Sequence, residues 1–178
     1  MPDVSRLAAS VGIPVLAQHV DAFEPGPHTG FVTAEALAAA GARGSLINHS
    51  EHPLVRAEIA EAVRHLAALR LVAVVCAGDV EPARLLAELE PPYLAVEPPE
   101  LIGGDVSVST ARPEVISQTA DAVHTISPTT QVLCGAGVHN RHDVERALSL
   151  GSEGVLVASA VTRAKDPRAV LEELLAGF

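Results

Sequence analysis

From residue 13 onward two hydrophobic patterns alternate along the chain. Short, nearly continuous apolar runs, such as Leu-Val-Ala-Val-Val-Cys at 71–76, have the composition of strands buried on both faces. Between them lie Ala/Leu/Glu/Arg segments whose apolar residues recur with helical period. The alternation predicts βαβ units and a parallel sheet. Strands are expected at 14–19, 44–48, 71–76, 93–97, 131–135 and 154–158. Helices are expected near 33–40, 53–69, 80–89, 112–126, 140–150 and 167–176. Punctuation supports the register. Thr33, Asp79 and Asp166 are suitable N-caps, and Pro53, Pro113 and Pro167 fall in or near first turns. Gly41 and Gly151 stand where C-terminal caps belong. Nothing along the chain resembles a linker, so residues 1–178 are expected to form one domain.

Six β/α units fit either an open doubly wound sheet or a barrel. The polar and small residues discriminate. Gln18/His19, Asn48/His49, Glu97, Gly135–Gly137 and Ala158–Ser159 all fall at carboxyl ends of expected strands. A barrel gathers those ends on one face, whereas an open sheet concentrates its chemistry at one switch point. A Gly-x-Gly-x-x-Gly after the first strand is also missing. The expected fold class is therefore an α/β, TIM-type parallel barrel. Six of its eight units are present, since six strands cannot close one.

Composition narrows the partners. Aromatic residues make up only 2% and the formal net charge is −10, which argues against nucleic acid, whose backbone demands basic stripes and stacking rings. A small anion remains compatible, because backbone amides can hold phosphate in an acidic protein. Apolar runs are too short for a membrane span, and the N-terminus lacks the pattern of a signal peptide. Cys76 and Cys134 are far apart and read as two buried thiols in a reducing cytoplasm.

Three strand ends carry candidate chemistry. In Leu94-Ala95-Val96-Glu97-Pro98-Pro99-Glu100-Leu101-Ile102-Gly103-Gly104, a carboxylate ends a strand, two prolines stiffen the exit and two glycines give mobility. That order suits a base beside a water-excluding lid. It equally suits a strand-end Glu that caps a helix or pairs with an arginine. In Asn48-His49-Ser50-Glu51, a strand-end His before a helix is placed to stay neutral and donate a hydrogen bond to a carbonyl. Taken alone, His49 reads as a structural histidine; with Glu97 on another strand, an acid–base role is the better reading. Small residues at Gly135-Ala136-Gly137 and Ala158-Ser159-Ala160 allow backbone to approach a phosphate, or simply pack strands.

The segments NHSE (48–51), AVEPPELIG (95–103), LCGAG (133–137) and AQHV with HTG (17–20, 28–30) resemble the triosephosphate isomerases, in their short archaeal form. The resemblance runs from about Gly12 to the C-terminus. It implies Glu97 as the base that moves a proton between two carbons and His49 as the neutral electrophile. Ile102, Gly137, Ala158 and Ser159 match positions on the phosphate and lid side. The implied substrates are glyceraldehyde 3-phosphate and dihydroxyacetone phosphate, with no cofactor and no metal. A homo-oligomer, tetramer or dimer, is implied, with the loop at 28–30 near subunit contacts.

The sequence also departs from the family. No strand ending in Asn-x-Lys precedes the first predicted strand, so the family's opening strand–helix–strand segment is unmatched and low activity is expected. Where archaeal relatives carry a lid like IGTG, this chain has Ile102-Gly103-Gly104-Asp105, which brings a carboxylate to the phosphate side. After LCGAG the chain has Val138-His139-Asn140-Arg141, and ASA replaces ASG at 158–160. Arg141 reads as a solvent-facing arginine at a helix start rather than a substitute cation. His139 and His142 lack partners that would complete a metal site, and Asn140 or Asp143 is expected to cap that helix. The competing reading is a degenerate, non-catalytic barrel that binds phosphorylated metabolites or only its own subunits.

Overall fold

The computed structural model describes residues 2–104 and 106–178. Asp105, and with it the expected carboxylate beside the phosphate, lies outside the described residues. Two compact units divide the chain: Met1–Cys76 with Pro91–Tyr93, and Ala77–Glu90 with Leu94–Phe178.

The first unit holds α1 (Pro2–Ser10), β1 (Leu16–Ala17), α2 (Ala34–Ala39), β2 (Gly44–Ile47), α3 (Arg56–Ala68) and most of β3 (Val72–Ala77). Its strands are parallel and in chain order, with Leu16 opposite Gly44 and Gly44 opposite Val72. Gly44 cannot be another residue, because a Cβ there would lie 2.1 Å from the Val72 carbonyl oxygen. Thr33 caps α2 by accepting from the Ala36 amide, and Gly41 leaves that helix at φ +83°, as expected. Leu37, Ile47, Ile59, Leu66 and Val75 are buried here and drive the helices onto the strands.

The second unit holds α4 (Val80–Ala87), β4 (Tyr93–Val96, from Leu94 on), a 3₁₀ turn at Pro99–Leu101 and α5 (Val108–Ala111). It continues through α6 (Pro113–Ile126), β5 (Gln131–Cys134), α7 (Arg141–Ser149), β6 (Gly154–Val155), α8 (Ser159–Thr162) and α9 (Pro167–Leu175). β5 and β6 pair in parallel, Leu133 opposite Gly154. Beyond the end of β4 the ladder continues: Glu97 N–H donates to Ala77 O (2.8 Å) and Gly135 N–H to Val96 O (3.0 Å). Val108, Ile116, Cys134, Val138, Val144, Ala147 and Leu174 form a buried cluster between these strands and helices. Gly151 follows α7 at φ +97°, and Asp166 caps α9 through the Ala169 amide.

Several elements differ from expectation, among them α5, α8 and the 3₁₀ turn, which the periodicity does not predict. Pro113 and Pro167 open their helices, but Pro53 lies outside α3, which begins at Arg56 with Val55 as its N-cap. The Glu58 carboxylate accepts the Val55 N–H (3.2 Å) and so sets that start. The outer strands are shorter than their apolar runs, two residues each at Leu16–Ala17 and Gly154–Val155. The helix at Pro2–Ser10 has no counterpart among the predicted elements, although Val4, Leu7 and Ala8 recur at helical spacing; none of its residues is buried. Among the described residues no helix is long and apolar enough to cross a membrane.

Candidate active site

In the first unit the turn after β2 presents His49. Asn48 takes a left-handed conformation (φ +61°), which Asn tolerates better than most residues. Its side chain then pins the turn from two sides. Nδ2 donates to Cys76 O (2.9 Å) while Oδ1 accepts the Leu54 N–H (2.9 Å). His49 is 22% exposed, and its Nδ1 accepts the Glu51 N–H at 3.3 Å. A nitrogen that accepts from an amide carries no proton of its own, so the ring proton of the neutral form belongs on Nε2. The amide aimed at the ring comes from the turn, not from the N-terminus of α3, which starts seven residues later.

Nearby in the same unit, His19 Nε2 lies 3.0 Å from Asp21 Oδ1, and the His19 ring stacks on His52 at 3.9 Å. Asp21 Oδ2 also accepts the Val32 N–H (2.6 Å), so this carboxylate ties the end of β1 to the loop before α2.

In the second unit, Glu97 directly follows β4 and is only 7% exposed. Its side chain lies on the backbone of Gly135, where a Cβ would fall 2.3 Å from Glu97 Cγ and 2.7 Å from Oε1. The residues after β5 then turn sharply. Ala136 (φ +69°) and Gly137 (φ +68°) are both left-handed, and a Cβ on Gly137 would lie 2.2 Å from Val106 O. Ala136 O accepts the Val108 N–H (3.2 Å). Ile102 leaves the 3₁₀ turn, donating from its N–H to Pro99 O (3.3 Å). Ala158 is the N-cap of α8 and Ser159 its first residue, three and four residues beyond the end of β6.

The start of α7 closes on itself: Asn140 Oδ1 accepts the Asp143 N–H (3.1 Å) and Asp143 Oδ2 accepts the His139 N–H (2.9 Å). His139 Nε2 lies 2.8 Å from Gly104 O and bridges the 98–104 segment to this loop. Val106, Ser107, Thr110, His139, Asn140 and Asp143 line a cleft of about 260 Å³. Arg141 points to solvent and pairs with Glu145 (2.6 Å). Among the described residues no group of three His, Cys, Asp or Glu side chains is arranged to hold a metal ion.

Cys76 and Cys134 are both buried and unbridged, as expected. Burial, reinforced by the Asp143 and Glu97 carboxylates, pushes the Cys134 thiol up to about 12. Gly135 stands out in the sequence only as a small strand-end residue, not as the surface under Glu97, and Arg112, which pairs with Glu100 beyond Glu97, has no distinguishing mark.

These units present chemistry-bearing side chains at the carboxyl ends of parallel strands, the arrangement of a β/α-barrel enzyme. The family model described as triosephosphate isomerase matches residues 1–175. The chain is 47% identical to triosephosphate isomerase of Methanothermus fervidus, over 97% of this chain and 78% of that protein. It is 45% identical to the enzyme of Methanosarcina barkeri (98% and 79%) and 44% identical to that of Methanocaldococcus jannaschii (97% and 79%). The chain belongs to the triosephosphate isomerase family. The crystal structure of triosephosphate isomerase from Bartonella henselae matches with a TM-score of 0.68 at 23% identity, covering 86% of this chain and 74% of that one. That likeness establishes the α/β fold of the TIM barrel, with six strands among the described residues here.

Proposed function

We propose that the protein is a triose-phosphate isomerase, interconverting glyceraldehyde 3-phosphate and dihydroxyacetone phosphate in glycolysis and gluconeogenesis. Glu97 takes a proton from the carbon beside the carbonyl, leaving an enediolate, and returns it to the neighbouring carbon. His49 donates from Nε2–H to the carbonyl oxygen and passes a proton between the two oxygens. No electrons are gained or lost overall, so no cofactor is called for. Ile102, Gly137, Ala158 and Ser159 are assigned to the phosphate and lid side. The protein works in the cytoplasm as a homo-oligomer, a dimer or tetramer.

The observation that carries this reading is the Glu97 carboxyl, buried at a strand end against a glycine that leaves room for nothing larger. Burial removes water that would otherwise solvate and weaken a base. The Glu51 amide at Nδ1 supports the tautomer of His49 that carries its proton on Nε2, facing the carbonyl oxygen in this reading. The relatives matched at 44–47% identity are triosephosphate isomerases, and nothing in the geometry favours a non-catalytic relative.

The test is a coupled isomerase assay with glyceraldehyde 3-phosphate, run beside hydrogen exchange into substrate in D₂O. Glu97→Gln should slow turnover by a factor of about 10²–10⁴, the usual contribution of a positioned acid–base group, and abolish exchange at carbon. Wild-type-like exchange in Glu97→Gln would sink the assignment.

A further inference from the structure

Arg112 stands between α5 and α6, and its guanidinium grips two carboxylates from distant parts of the second unit. Nη1 donates to Glu100 Oε1 (2.9 Å) and Nη2 to Asp79 Oδ2 (3.1 Å), while Glu114 Oε1 lies 3.9 Å from Nε. Each carboxylate marks something different. Asp79 is anchored to the N-terminus of α4, its other oxygen accepting the Val80 N–H (2.8 Å). Glu100 belongs to the 3₁₀ turn that begins two residues after Glu97. Pro99 in the same turn sits over Gly78, where a Cβ would be 3.3 Å from the Pro99 ring. The base is thus followed by a turn held from one side by proline packing and from another by a forked cation.

Glu100 and Asp79 are about half exposed. Ion pairs this open contribute little to global stability. They can still decide where a short segment rests, and the planar fork of arginine holds two carboxylates where a single ammonium cannot.

We propose that Arg112 is a positioning residue for the lid: by holding Glu100 beside Asp79 it fixes the N-terminal hinge next to Glu97. The far end of the segment is held separately, where His139 Nε2 meets Gly104 O at 2.8 Å. The proposal deepens the isomerase reading, in which the lid must close over substrate and reopen for product. Arg112 touches neither substrate nor reacting atoms; it acts through Glu100.

Hydrogen-exchange mass spectrometry of the whole protein without substrate tests the clasp independently of activity. Arg112→Met should raise exchange in the peptide covering 98–104 about 5- to 50-fold and leave β4 and α4 unchanged. Arg112→Lys should fall between. Arg84→Met, which breaks the exposed Glu81–Arg84 pair on α4, should leave the 98–104 peptide as in wild type. In the assay, kcat/KM of Arg112→Met should drop about 10-fold, and adding Glu100→Gln should cost nothing further. Exchange in 98–104 within twofold of wild type, or additive losses in the double variant, would overturn the proposal. If Arg112→Met loosens the whole fold, Glu100→Gln alone decides: raised exchange confined to 98–104 supports the clasp and unchanged exchange refutes it. An inactive wild type with the exchange pattern as expected would remove the isomerase reading and keep the clasp.

Discussion

The Glu97 side chain rests on the backbone of Gly135, so close that one methyl group at 135 would stand 2.3 Å from Glu97 Cγ. Gly135 has no left-handed conformation to protect. Its role is to be empty space. Gly135→Ala should therefore displace the carboxylate rather than strain the local backbone. Turnover is expected to slow about 10²-fold or more, the cost of misplacing a reacting group by an ångström. Stability should fall by about 1–3 kcal/mol, as for overpacking. Steady-state kinetics and urea denaturation check both, and full activity in Gly135→Ala would show that Glu97 does not work from this position.

The adjacent left-handed pair responds in opposite directions. Gly137→Ala meets Val106 O at 2.2 Å in a conformation that L side chains avoid, so a loss of about 2 kcal/mol or more is expected. Ala136→Gly relieves about 1–2 kcal/mol of left-handed strain and returns about 0.5–1 kcal/mol as chain entropy, a small net gain. Thermal melts of the two variants should shift to opposite sides of wild type.

Asn48 is expected to matter more to His49 than its distance from the chemistry suggests. Asn48→Ala removes both side-chain bonds and leaves φ +61° to a residue that resists it, at a cost of about 2–4 kcal/mol. Asn48→Gly keeps the conformation and loses only the bonds, so it should be milder. Equal losses in the two variants would show that backbone conformation contributes nothing here.

Cys134 gives a pH signature. Its folded pKa is raised from 9.0 to about 12, so the unfolded thiol ionises first as pH rises. The unfolded state then binds fewer protons, and stability declines between about pH 9 and 12. Cys134→Ala should flatten that decline when denaturation midpoints are compared at pH 8 and pH 10. Asp79 acts at the other end. The Val80 N–H, ahead of the Arg112 guanidinium, holds its carboxyl below the ordinary 3.8, so the stability it contributes is present above that value and lost on acidification below it. Asp79→Asn should shallow the acid limb.

Much of the fold is visible in the residues themselves, because cap chemistry is local. Thr33, Gly41, Gly151 and Asp166 each act within four residues of where they stand. Pro53 misleads for an equally local reason, since a proline marks where a helix is permitted and the Glu58–Val55 contact decides where it begins. Strand lengths are less visible, because an apolar run records burial whereas a strand ends where its partner's hydrogen bonds end. The same distinction divides the site. Glu97 and His49 stand out as candidates by their place after an apolar run. Gly135 and Arg112 matter through neighbours far along the chain, which neither periodicity nor spacing reveals.

The reciprocal caps at the start of α7 have a consequence for the order of assembly. Asn140, Asp143 and His139 close on one another within four residues, so this loop forms with little chain entropy to overcome. The bed of Glu97 is made from segments dozens of residues apart and must wait for the strands to align. Refolding should therefore pass through molecules with α7 already formed and Glu97 not yet placed on Gly135, and helical signal should return before isomerase activity does.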